Sequence, residues 1–125
     1  MEKKVIHEPL KNCPGIFFYP ENNYLEIKGR SIPEDPEMFY RCLDSWVSDY
    51  FSANRTLNVK IQLEYINSSS ARLMYEFLYK LKGFYHSGKQ GKIKWICEQD
   101  DDEMRELGEN YRDSTGVPVE IEVLQ

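Results

Sequence analysis

Leu57-Asn58-Val59-Lys60-Ile61-Gln62-Leu63-Glu64-Tyr65-Ile66, followed directly by Asn67-Ser68-Ser69-Ser70, is the stretch on which the fold turns. Leu57, Val59, Ile61, Leu63 and Tyr65 alternate with Asn58, Lys60, Gln62 and Glu64. A period of two is the pattern of a strand with one apolar face. After the serines the period changes. Met74, Phe77, Leu78, Leu81 and Phe84 share one face of a helix that ends near Ser87-Gly88.

The same two periods continue outward. On the N-terminal side, Asp35-Pro36 starts a helix, with Asp35 able to accept from free backbone N–H groups and Pro36 suited to the first position. Phe39, Leu43, Trp46, Val47, Tyr50 and Phe51 then form its apolar stripe. Earlier still, Gly15 to Pro20 and Tyr24 to Gly29 are two strands joined by the turn Glu21-Asn22-Asn23, an antiparallel hairpin. On the C-terminal side a strand covers about Lys92 to Cys97 and a shorter helix roughly Asp102 to Arg112. Ser114-Thr115-Gly116 breaks that helix, and Val117 to Leu124 is the last strand.

The order is ββαβαβαβ, and right-handed crossovers make the central strands parallel. Strands covered on both faces read as continuous apolar runs. These alternate instead with Glu26, Lys28, Lys60, Gln62, Glu64, Lys92, Lys94, Glu120 and Glu122. The expectation is one two-layer α/β domain over residues 1–125. It has a mixed, mostly parallel sheet with an N-terminal hairpin, helices mainly on one face, and solvent or a partner on the other.

The 125 residues suit one core. A net charge of −5, with lysines scattered among acids, argues against a nucleic-acid binder. The N-terminal Met1-Glu2-Lys3-Lys4-Val5-Ile6-His7 has no apolar segment after it, so neither a secretory signal nor membrane insertion is expected. Cys13, Cys42 and Cys97 are odd in number and far apart, which fits reduced thiols in the cytoplasm. No cofactor or metal is expected, because His7 and His86 lack ligand spacing.

Chemistry in such sheets gathers at the carboxyl ends of the strands. That edge receives Asn67-Ser68-Ser69-Ser70 and the acidic run Glu98-Gln99-Asp100-Asp101-Asp102-Glu103, each opening a helix. Helix capping accounts for such a serine cluster in general. Two details point further. One cap needs one side chain where four stand in a row, and Arg72 occupies a first turn in which the dipole disfavours a cation. A cation there suits a loop that carries phosphate; a solvated surface arginine is the plainer alternative. The acids stabilise a helix start electrostatically, and Asp100, Asp101 and Asp102 lack the spacing of a calcium loop. Catalysis has little support. No histidine lies near the serines, Gly-x-Ser-x-Gly is absent, and His86 stands about five turns from Ser68. No glycine-rich nucleotide loop is present; Gly88-Lys89-Gln90-Gly91-Lys92 is a turn from helix to strand.

Three segments together resemble a known family. Gly29-Arg30-Ser31-Ile32-Pro33-Glu34-Asp35-Pro36 is similar to its GRSIPE-x-P signature, and Glu64-Tyr65-Ile66-Asn67-Ser68-Ser69-Ser70 to its EY-x-N-[TS]-S-S loop. Trp95 to Met104, with Gly108-Glu109, is similar to its third block, W-x-x-E-x-D-D-x-x-M-x-x-x-G-E. The chain therefore resembles the SiaC-type regulatory phosphoproteins of bacteria along nearly its entire length. That resemblance implies a fold related to the STAS-like domains of anti-sigma-factor antagonists. It implies phosphorylation by a GHKL-type serine/threonine kinase and removal of the phosphate by a metal-dependent serine/threonine phosphatase. It also implies an unphosphorylated form that binds and activates a diguanylate cyclase, in control of cyclic-di-GMP and biofilm formation.

The matching acceptor is Ser68, where the family often has Thr. Ser69 and Ser70 adjoin it as further candidates. Asn67, Ser69, Ser70, Arg72, Asp100, Asp101 and Asp102 are the expected partner-facing residues. Two alternatives remain: an anti-sigma-factor antagonist with the same kinase logic, and a small-ligand-binding or catalytic α/β domain, which would need a deep pocket.

Overall fold

Right-handed crossovers that all step in the same direction along a sheet must leave their helices on one side. This chain does that three times. The computed structural model describes residues 3–125, so Met1 and Glu2 of the N-terminal segment lie outside the described residues. Its strands are β1 (Lys4–His7), β2 (Gly15–Tyr19), β3 (Tyr24–Ser31), β4 (Asn58–Ile66), β5 (Ile93–Glu98) and β6 (Val119–Leu124). Its helices are α1 (Pro36–Ala53), α2 (Ser68–His86) and α3 (Asp102–Thr115). The sheet runs β1-β2-β3-β4-β5-β6. The first two pairings are antiparallel and the last three parallel.

The expected two-layer mixed sheet is present, with one strand more than its periodicity shows. β1 pairs with β2 through a bulge between Val5 and His7, while Val5 is 45% exposed. An edge strand held by backbone pairing, with few buried side chains, leaves no apolar alternation to detect. The other bounds move by a few residues: Leu57 and Val117 precede their strands, and α3 continues to Thr115.

The core lies between the sheet and the helices. Leu25, Ile27, Val59, Ile61, Leu63, Ile93 and Trp95 meet Phe39, Leu43, Val47, Phe51, Met74, Phe77, Leu78 and Leu81. Helix starts follow local chemistry. Asp35 Oδ1 accepts from Met38 N–H at 3.0 Å, with Pro36 at the first position of α1. On the opposite face, Glu26–Lys60 (4.0 Å), Lys92–Glu120 (3.4 Å) and Lys94–Glu122 (3.3 Å) cross between strands. This face is not wholly polar: Ile96 is 2% exposed and stands opposite Gln62 and Glu122 in the register.

All three cysteines are free. Burial pushes the Cys13 and Cys97 thiols up, which keeps them protonated at neutral pH. Among the described residues, no helix is long and apolar enough to cross a membrane.

Candidate functional site

α2 begins where β4 leaves the sheet, and Asn67 makes that transition. Its N–H donates to Ser31 O at 3.2 Å, which ties the loop to the end of β3. Its side-chain oxygen accepts from Ser70 N–H at 3.0 Å, the bond of an N-cap. One residue thus performs the capping that the four-residue cluster suggested. Ser68 and Ser69 are exposed at the first two positions of α2, without a capping duty. Ser70 departs from the expectation of a partner-facing residue. It is 0% exposed, because the helical turn rotates it under the loop, and its hydroxyl has no hydrogen-bond partner.

Tyr65 is displaced from its expected place in the core. Gly29 stands opposite Leu63, but Arg30 stands opposite Tyr65, so Glu64 is an extra residue in β4. Such a bulge breaks the alternation. Tyr65 is 48% exposed, while Ile66 packs against the core. The Arg30 guanidinium lies over the Tyr65 ring, 5.6 Å from its centre.

Asp101 Oδ1 caps α3 by accepting from Met104 N–H at 3.1 Å, and Asp102 pairs with Arg105 at 2.9 Å. Asp100 is exposed. The two loops of the carboxyl edge do meet. Glu64, Tyr65, Asn67, Ser68, Ala71, Asp101, Glu103 and Leu107 are among the residues lining an open groove of about 270 Å³. Of the sequence candidates, Asn67, Ser68 and Asp101 share it. Arg72 is engaged elsewhere, with Glu76 at 2.7 Å and Glu37 of α1 at 3.7 Å, which explains a cation early in α2 without a phosphate. Glu64, Tyr65 and Glu103 stand in segments the sequence singles out, but neither they nor Leu107 are among its expected partner-facing residues, because their proximity depends on the bulge and on where α3 docks. Among the described residues, no three His, Cys, Asp or Glu side chains cluster as metal ligands.

The parallel strand order shapes this groove. Nucleotide crevices in open sheets form where the strand order reverses and helices diverge to opposite faces. Here the order never reverses. The surface between α2 and α3 is an open furrow with Glu64, Asp101 and Glu103 among its lining residues.

Two contacts hold the walls of the furrow. Trp95 Nε1 donates to Met104 O at 2.9 Å, seating α3 on β5. Tyr111 Oη donates to Ala71 O at 2.6 Å, tying α3 to the first turn of α2. Burial pushes the Tyr111 phenol up, so it stays a donor across the physiological range. Tyr111→Phe is expected to cost about 1 kcal/mol, the net value of one hydrogen bond. Hydrogen exchange should locate the loss of protection in the first turn of α2.

The fold and this edge define a small α/β domain that presents an exposed serine hydroxyl at a helix start. The chain belongs to the SiaC family of regulatory phosphoproteins, whose family model matches residues 7–124. An uncharacterized protein of Pseudomonas aeruginosa strain UCBPP-PA14 is 28% identical over 120 residues, covering 94% of each chain. Two solved structures from Pseudomonas aeruginosa are similar in fold. One is SiaC in complex with the diguanylate cyclase SiaD, of which SiaC is the activator. It has a TM-score of 0.85 and 24% identity, covering 94% of this chain and 98% of that one. The other is apo-SiaC, with a TM-score of 0.84 and 24% identity over 95% of this chain and 98% of that one.

Proposed function

We propose that this protein is a bacterial cytoplasmic phospho-switch without catalytic activity of its own. A GHKL-type serine/threonine kinase phosphorylates it on Ser68, and a metal-dependent phosphatase reverses the modification. The observation that carries this reading is the state of Ser68. It is exposed, Asn67 does the capping beside it, and it opens a furrow lined by Glu64, Asp101 and Glu103. A phosphate there adds about two negative charges beside three carboxylates. The surface changes its charge while the fold stays. The unmodified edge is the binding-competent one, and its output partner is a diguanylate cyclase, a reading supported by family membership and by the partner of the similar SiaC.

Incubation of the purified protein with the GHKL-type kinase and ATP, followed by mapping of the adduct, tests the acceptor. Ser68→Ala is expected to abolish incorporation, and Ser69→Ala to retain it. Full labelling of Ser68→Ala would overturn the assignment. The partner is tested by titrating a diguanylate cyclase with both forms. Phosphorylation is expected to weaken binding at least about tenfold, a like-charge penalty of roughly 1.4 kcal/mol.

A further inference from the structure

We propose that Arg30 is the cation that receives a phosphate on Ser68, an inference that rests on the switch reading above. Arg72 is the nearer arginine in sequence, but Glu76 and Glu37 occupy its guanidinium. Arg30 is exposed, and its described contact is the face of the Tyr65 ring. An exposed cation–π contact is weaker than the charge-assisted, forked hydrogen bonds that a guanidinium makes to phosphate. A phosphate within reach therefore wins the competition for Arg30.

Reach follows from the topology. β3 and β4 run parallel and end at the same edge. The Asn67 N–H donates to Ser31 O at 3.2 Å. Arg30 and Ser68 are the chain neighbours of these two residues. Their Cα atoms are at most about 16 Å apart, one strand spacing of ~4.8 Å across the Ser31–Ile66 pair plus three chain steps of ~3.8 Å. An extended arginine and a phosphoserine, each reaching toward the other, cover most of that upper bound. Tyr65 lines the Ser68 furrow while carrying Arg30 on its ring. Arg30 itself lines an adjoining groove of about 410 Å³, which shares Glu64 and Asp101 with the furrow.

Charges from several elements surround such a phosphate, and Lys28 and Glu98 line the adjoining groove together with Arg30. Glu64 from β4 and Asp101 and Glu103 from the start of α3 repel it. The positive end of α2 attracts it, Arg72 is held by its carboxylates, and Arg30 approaches from β3. Moving Arg30 to the phosphate takes it off Tyr65. The modified surface thus differs from the unmodified one by an uncovered aromatic ring as well as by charge.

The test uses the full chain with phosphoserine genetically encoded at position 68, so that no kinase is needed. Titration of its ³¹P resonance at low salt reads the second ionisation of the phosphate. A nearby cation favours the dianion and lowers that pKa, so Arg30→Gln is expected to raise it by about half a unit to one unit. Arg30→Lys should restore part of the difference, since it keeps the charge and loses the fork. Arg72→Gln removes a charge one helical turn from Ser68 that Glu76 and Glu37 already largely offset, so it should raise the value by less than Arg30→Gln does. An Arg30→Gln curve that coincides with wild type, or a shift seen only in Arg72→Gln, overturns the proposal. Adduct mapping with the kinase judges the acceptor separately, so a different acceptor would sink the switch reading while this titration still judges Arg30.

Discussion

Gly108→Ala is expected to destabilise the protein by about 3 kcal/mol, the upper end for overpacking, and to lower its thermal midpoint by roughly 10 °C. Gly108 is buried in α3 directly over Trp95. An alanine Cβ there would overlap Trp95 Cδ1 and lie 2.8 Å from both Cγ and Nε1. The indole has no free direction to yield. It is 1% exposed, packs edge-on against Tyr111 with centroids 5.4 Å apart, and is fixed by its bond to Met104 O. α3 must therefore lift from β5, carrying Asp101 and Glu103 away from Ser68. A double-mutant cycle separates this clash from the helix-favouring effect of alanine. Trp95→Phe costs stability alone but makes room, so Gly108→Ala should cost at least about 1 kcal/mol less in that background. Additive losses would refute the clash. Because the furrow is disturbed as well, kinase labelling of Ser68 should change in Gly108→Ala even at temperatures where it is folded.

Gly91→Ala is expected to be at least as damaging, by about 3–4 kcal/mol, and for a different reason. Gly91 has φ +149°, a conformation that residues with a Cβ rarely adopt. A Cβ would overlap the Leu57 carbonyl oxygen and lie 2.9 Å from Tyr85 Oη. That carbonyl accepts from Tyr85 Oη at 2.9 Å, and Leu57 N–H donates to Gln90 O at 2.9 Å. The clash is with backbone that anchors the starts of β4 and β5, which no rotamer change relieves. Chemical denaturation should show the loss directly. The damage sits at the amino ends of these strands, opposite the Ser68 edge. The folded fraction of Gly91→Ala should therefore accept phosphate at the wild-type rate. A stability loss matched by unchanged labelling separates this site from Gly108.

These two glycines also mark how far the sequence is legible. Gly91 lies in a stretch that composition identifies as a turn, yet nothing local says which carbonyl it must clear. Gly108 falls within a motif of the family signature, but its partner Trp95 is thirteen positions earlier. Arg72 is the instructive case at the site. Its place in the first turn of α2 is unusual by helix electrostatics, and the sequence alone offers a phosphate as the reason. The structure supplies carboxylates instead, one four residues on and one from α1. Ser70 and Tyr65 mislead similarly. Each obeys a local pattern, a polar cluster or an alternating strand, that tertiary geometry breaks.

What the sequence determined by itself is everything carried by nearest neighbours along the chain. Two periods separated strands from helices, Asp35, Asn67 and Asp101 set the helix starts through bonds to residues three positions on, and the alternation of charge left one sheet face bare. Three motifs in order then carried the family. The tertiary structure decided what depends on register between distant segments. The β3–β4 bulge turned Tyr65 outward beneath Arg30, and the docking of α3 through Trp95 and Tyr111 brought Asp101 and Glu103 to Ser68. Local bonds form within a few residues and leave a trace in every window of sequence. A one-residue slip between strands leaves no such trace, yet it reverses which side each residue faces.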